Sequence, residues 1–173
     1  MPDYGTIEQV NDGRWRLRFT RTLVHPQTKV WRAVTEPEQL ARWFPTTIDG
    51  ERAAGAPLRF TFPNDMAEPF DGEMLAYEPE SAIEFRWGPD LVRIELRAVG
   101  EGTELTLLDT LEERGKAARD GAGWHTCLDA LEAALAGEDE ARAQMDTWAA
   151  VHPHYVESFG PKAATIGPPD GMG

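Results

Sequence analysis

His125 and Asp129 are the pair in this 173-residue chain whose types and spacing best suit acid–base work. Four residues apart in GWHTCLDAL, they lie one helical turn from each other. There a carboxylate can hydrogen-bond an imidazole and raise its proton affinity. His125 falls about 100° off the apolar stripe begun by Trp124, so the spacing predicts an ordinary surface pair at the helix margin. Asp109 is the second candidate. In TELTLLDTL it shares parity with Leu105 and Leu107. That turns it toward the apolar face of a strand, where an unpaired carboxyl keeps its proton. The bland alternative places it near the strand's end, reaching water, Arg114 or Arg119. His152 and His154 supply two potential metal ligands without a third at a persuasive spacing. GxSxG, P-loop and HExxH signatures are lacking. The expectation is therefore no metal and no cofactor, with Asp109 and His125 as weak catalytic candidates.

Aromatic residues carry a stronger signal: Trp31, Trp43, Phe44, Phe60, Phe62, Phe85, Trp87 and Trp124. Most belong to a core, because aromatics dominate cores. Where a curved sheet and one helix do not fill their interior, the same residues, with Leu107, Asp109 and Leu128, would line a mostly apolar pocket. Such a pocket suits a small hydrophobic or aromatic ligand.

The elements that position these residues follow from periodicity. RWRLRFTRTLV (14–24) alternates strictly after the Asn11-Asp12-Gly13 turn, which predicts a strand with Arg14, Arg16 and Arg18 on its solvated face. His25-Pro26 opens a helix to about Val34. Thr35, Pro37 and Glu38 suggest a capping box for a second short helix running toward Trp43 and Phe44. Strands are expected at 57–62, 70–77, 81–87, 91–99 (Val92, Ile94, Leu96 and Ala98 inward) and 103–111. The short connections PND, EPES, GPD and GEG between them imply antiparallel hairpins. Trp124, Leu128, Leu131 and Leu135 then fall on one helical stripe; Gly121 and Gly123 loosen its start and Gly137 is placed to stop it. The result is an α+β fold. A curved antiparallel sheet of six to seven strands wraps around one long helix, and two short helices close the open end.

This order, and the pieces VWRAVTEPEQLARWF, GEMLAYEPESAIEFRW, GTELTLLDTL and GWHTCLDALEAAL, resemble the START-like superfamily, the helix-grip fold of birch-pollen allergens and polyketide cyclases. More narrowly they resemble bacterial single-domain homologues of the activator of the heat-shock-protein-ninety ATPase. The resemblance covers residues 14–136. It implies the fold, and a range of roles: ligand carriers, cochaperone modules, cyclases and hydrolases. Many members carry a histidine where this chain has Asp109.

The helix-grip domain is thus expected over 1–137, with a helical extension over 138–173. In that extension EDEARAQMDTWAAV begins acidic, as a helix N-terminus favours. Trp148, Val151, Tyr155 and Phe159 form an apolar series, bent by Pro153, that must dock on its own domain or on a second subunit as a homodimer. TIGPPDGMG reads as a frayed end. The net charge is −13, and 23 of the 30 acidic groups lie in 61–173. That disfavours nucleic acid and anionic membranes as partners. The polar, acidic start and the absence of long apolar runs suggest a cytoplasmic protein. Cys127, the lone cysteine, is expected to be buried and inert. The leading expectation is non-enzymatic binding of a small hydrophobic molecule. The alternatives are a chaperone partner, or cyclase or hydrolase chemistry at Asp109 or His125.

Overall fold

Eight strands, not six or seven, form the sheet. The structure, a computed structural model, describes residues 4–63, 67–138 and 144–166. In chain order the strands are β1 (Thr6–Gln9), β2 (Trp15–Leu23), β3 (Thr47–Asp49), β4 (Pro57–Thr61), β5 (Phe70–Glu78), β6 (Ala82–Trp87), β7 (Asp90–Val99) and β8 (Gly102–Leu111). They pair antiparallel in the order β1-β2-β8-β7-β6-β5-β4-β3. The two additional strands, β1 and β3, are four and three residues long, too short to show an alternation. Each is held by its longer neighbour: Thr6 pairs with Arg18, and Thr47 with Thr61.

The alternating residues do face inward. One cross-strand row reads Leu17, Asp109, Val92, Phe85, Met74, and the next reads Phe19, Leu107, Ile94, Ile83, Tyr77. Ala98 is the exception. It pairs with Thr103 at the tip of the β7–β8 hairpin, where it is exposed.

Helix α1 (Gln27–Thr35) and the four-residue α2 (Pro37–Leu40) close one end, with Val30, Trp31, Ala33, Val34 and Leu40 buried. The expected capping box does not form. Glu36, in an extended conformation, is the N-cap of α2 and makes no side-chain cap, while the Thr35 hydroxyl donates to the Trp31 carbonyl inside α1. The two helices are instead fixed by Trp43 Nε1, which donates to the Ala33 carbonyl at 2.8 Å.

Helix α3 (Ala117–Leu135) lays Trp124, Leu128, Leu131 and Leu135 on the sheet. Gly137, at φ 78°, ends it: its N–H donates to the Ala134 carbonyl and that of Glu138 to Ala133, the paired bonds of a Schellman stop. Lys29 Nζ donates to the Leu135 carbonyl and brings a cation to the negative end of the helix dipole.

Helix α4 (Gln144–Phe159) lies against α3, with Trp148, Val151, Tyr155 and Phe159 all buried. Pro153, which has no N–H to give, sits on its solvent side. Gly121 does more than loosen α3. A Cβ there would stand 3.2 Å from the Phe159 ring and 3.4 Å from Tyr155, so the missing side chain admits both aromatics. The final residues of TIGPPDGMG, 167–173, lie outside the described residues.

Candidate functional site

Asp109 stands in the middle of a buried row, between Leu17 and Val92, and not at a frayed strand end; it is 1% exposed. Neither Arg114, which lies over Trp15, nor Arg119, which pairs with Asp120, is its partner. Trp124 Nε1, reaching down from α3, donates to Asp109 Oδ2 at 2.8 Å, and Oδ1 has no partner among the described residues. Asp90, at the start of β7, and Asp120, on α3, each bring an oxygen within 4.8 Å of the others and of Asp109. Burial pushes the Asp109 carboxyl well above the usual carboxylate range, and the Asp90 and Asp120 charges push the same way.

The neighbours offset what remains. Lys116 Nζ lies 2.9 and 3.0 Å from the two oxygens of Asp90, whose Oδ1 also accepts from the Glu112 N–H. Arg119 Nε donates to Asp120 at 2.9 Å. Three carboxylates could in principle hold a cation. Here Lys116 pairs with Asp90 and Arg119 with Asp120, and burial favours the protonated form of Asp109.

Around this acid the structure gathers most of the expected aromatics. Phe44, on the turn after α2, meets Trp87 at 5.2 Å and Trp124 at 5.6 Å between ring centroids, and Trp87 meets Trp124 at 6.1 Å. Phe60 and Phe85 extend the cluster through Trp87, and Trp43 stands edge-on to Phe44. Leu107 and Leu128 are buried beside them. Two of the set lie apart. Trp31 packs on Tyr77, and the half-buried Phe62, just beyond β4, touches Phe70. The rings touch one another, and Phe44 is in contact with both Trp87 and Trp124. Phe70, in contact with Phe60 and Trp87, belongs to the cluster although it was not among the expected aromatics.

His125 is not a surface pair. It is 1% exposed, on the side of α3 that α4 covers. The 100° offset from the Trp124 stripe turned it toward that second buried face. Its Nδ1 is 2.8 Å from the Tyr155 hydroxyl, which accepts the Gly5 N–H at 2.8 Å. Its Nε2 is 3.5 Å from Asp129 Oδ2. Asp129 also takes a hydrogen bond from Arg21 Nη1 at 2.8 Å, which reaches Glu132 at 3.2 Å. Asp109, on β8 under the sheet-facing side of α3, and His125, on the side of α3 that α4 covers, thus do not share a site. The signals for two of the missed residues were present. Arg21 has the parity of Leu17, Phe19 and Leu23, and is 3% exposed. Tyr155 was legible as apolar, though its hydroxyl needs partners once buried. Asp90 sat in a segment that read as a turn. Cys127, expected to be buried, is half-buried on α3, and desolvation pushes its thiol up to about 12, which disfavours the nucleophilic thiolate.

The model of the family "Activator of Hsp90 ATPase homolog 1-like protein" matches residues 24–136. The chain belongs to this family. Among solved structures, this family member is similar to EF2215, a conserved protein of unknown function from Enterococcus faecalis, with a TM-score of 0.72 and 21% identity over 88% of each chain. It is similar to CalU16 from Micromonospora echinospora, with a TM-score of 0.71 and 20% identity over 92% of this chain and 99% of that one. DynU16, a protein of the dynemicin biosynthetic locus, is 29% identical with a TM-score of 0.64, over 72% of this chain and 49% of that one. No curated protein matches. The fold is the START-like helix grip. No described helix is long and apolar enough to cross a membrane.

Proposed function

We propose that this family member binds a small aromatic ligand between the sheet and α3, without catalysing a reaction. The observation that carries the reading is Asp109 Oδ1, a fully buried polar atom with no partner among the described residues, in a carboxyl bonded to Trp124 of the Phe44–Trp87–Trp124 cluster. A buried polar group left unpaired costs about 1–3 kcal/mol, and a ligand that pairs it recovers that cost on binding. Because Oδ2 already accepts from Trp124, a protonated Asp109 presents its O–H from Oδ1. The complementary ligand carries a carbonyl or hydroxyl oxygen on an aromatic frame. It enters by displacing Phe44, which stands on a turn and not in a regular element.

The test is a tryptophan-emission titration with two- and three-ring aromatic ketones and phenols, for the wild type and for Phe44→Ala. Removing the ring that must move is expected to tighten binding about tenfold, equivalent to roughly 1.4 kcal/mol. Absence of binding to both proteins at about 100 μM, an affinity weaker than roughly −5.5 kcal/mol, would sink the proposal.

A further inference from the structure

A recess of about 450 Å³ opens on the other side of α1, away from the Asp109 cluster. It lies between the α1–α2 junction and the segment that follows β3. Trp31 and Tyr77, 5.6 Å apart and tilted, form its aromatic floor; Arg32, Glu36, Asp49 and Arg52 supply its charges. The volume matches a ligand of one or two rings.

The arginines distinguish this recess. In a chain of net charge −13, at least eight arginines among the described residues hold a carboxylate within ion-pair distance, and Arg42 is also engaged. Arg114 instead lies over the Trp15 ring. Arg32 and Arg52 have neither kind of partner among the described residues, and both line this one recess; Arg86, on the outer sheet face, is similarly unpaired. Arg52 is tied down by three backbone carbonyls: Nε donates to Thr35, Nη1 to Gly50 and Nη2 to Ile48. That holds its charge in place, and the Asp49 carboxylate acts on it without reaching ion-pair distance. Arg32, exposed on α1, has its whole guanidinium fork to offer.

Of the two acids, Asp49 already accepts from the Thr47 hydroxyl at 3.2 Å. Glu36 has no side-chain partner among the described residues and is an acceptor for a ligand's hydrogen-bond donor.

We infer that this recess is a second binding site, separate from the sheet–helix interior, for a small hydroxylated aromatic monocarboxylate. The carboxylate meets the Arg32 fork within the field of Arg52. The ring lies against Trp31 and Tyr77, and the hydroxyl donates to Glu36.

The test uses 6-hydroxy-2-naphthoate as the probe, titrated into the full chain and followed by backbone amide chemical shifts. Shifts are expected at residues 31–37, 48–52 and 77, with a dissociation constant on the order of 0.1–1 mM. 2-Naphthol, which lacks the carboxylate, should bind at least about tenfold more weakly, and Arg32→Gln should lose about the same factor while Arg32→Lys recovers part of it. Because Arg32 is exposed, a urea melt of each variant should match the wild type. Equal binding of 2-naphthol, no effect of Arg32→Gln, or no shifts at about 5 mM probe would each overturn the inference. Shifts confined to Phe44, Trp87 and Trp124 would overturn it too, and would support the interior site instead.

Discussion

Removing one hydroxyl, in Tyr155→Phe, tests whether α4 is bound by a specific polar contact or by apolar burial alone. A backbone N–H can only donate, so the Tyr155 oxygen accepts from Gly5 and its own O–H is free to donate to His125 Nδ1. Burial pushes the phenol up to about 12, so it keeps that proton across the ordinary pH range. The substitution leaves the ring in place against Phe159 and Gly121 but strands the buried Gly5 N–H and removes one polar contact of a second buried group, His125. Tyr155 is 0% and His125 1% exposed, so water does not readily replace the lost partner. Stranding a buried group costs about 1–3 kcal/mol, and with the lost His125 contact about 2–3 kcal/mol is a reasonable total after relaxation. For a chain of this length that corresponds to a fall in Tm of roughly 5–10 °C. Thermal melts read the loss, and amide hydrogen exchange should show Gly5 opening faster. A Tm within about 1 °C of the wild type would refute the reasoning and leave the hydroxyl a bystander.

Asp109→Asn should show its effect through pH. The folded carboxyl is raised, so above the ordinary carboxylate value the unfolded chain loses a proton that the folded one keeps. Wild-type stability therefore falls as pH rises from that value toward the folded one. The Asn variant lacks this loss and should gain on the wild type as pH rises above the ordinary carboxylate value in urea melts; a pH-independent difference would contradict the assignment. The α3 glycines should split. Gly123→Ala meets open space and should stabilise by about 0.5–1 kcal/mol. Gly121→Val, pressed against Phe159 and Tyr155, should destabilise by about 1–3 kcal/mol. Equal effects at the two positions in denaturant melts would refute the close packing of α3 on α4.

Long strands announce themselves because alternation over nine or ten residues leaves one reading. Strands β2, β7 and β8 are of this kind, and the inward turn of Asp109 follows from the same parity. Edge strands of three and four residues carry no such pattern and exist because a longer neighbour offers its free N–H and C=O groups. The capping box failed for a related reason. The motif fits the local sequence, but the Thr35 hydroxyl finds the Trp31 carbonyl first, a competition that residue types alone do not decide. His125 was misplaced because a single stripe was read on α3. The helix has two buried faces, and the second becomes visible only when α4 is set against it. Whether aromatic side chains enclose a space or fill it depends on how they pack in three dimensions. The contact of Phe44 with Trp87 and Trp124 therefore had no signature in the chain.

A helix enclosed on two sides gives up its freedom to vary. Ala118, Gly121, Ala122 and His125 are fully or nearly fully buried on α3, and three of those four are among the smallest side chains there are. They are small because α4 lies over them. In a relative whose chain stops after the long helix, the same positions would face water, and selection there would tolerate lysine or glutamate. The size and polarity of these four positions should therefore change together with the presence of a tail, which makes them a written record, inside the shared domain, of whether an ancestor carried the appended helix.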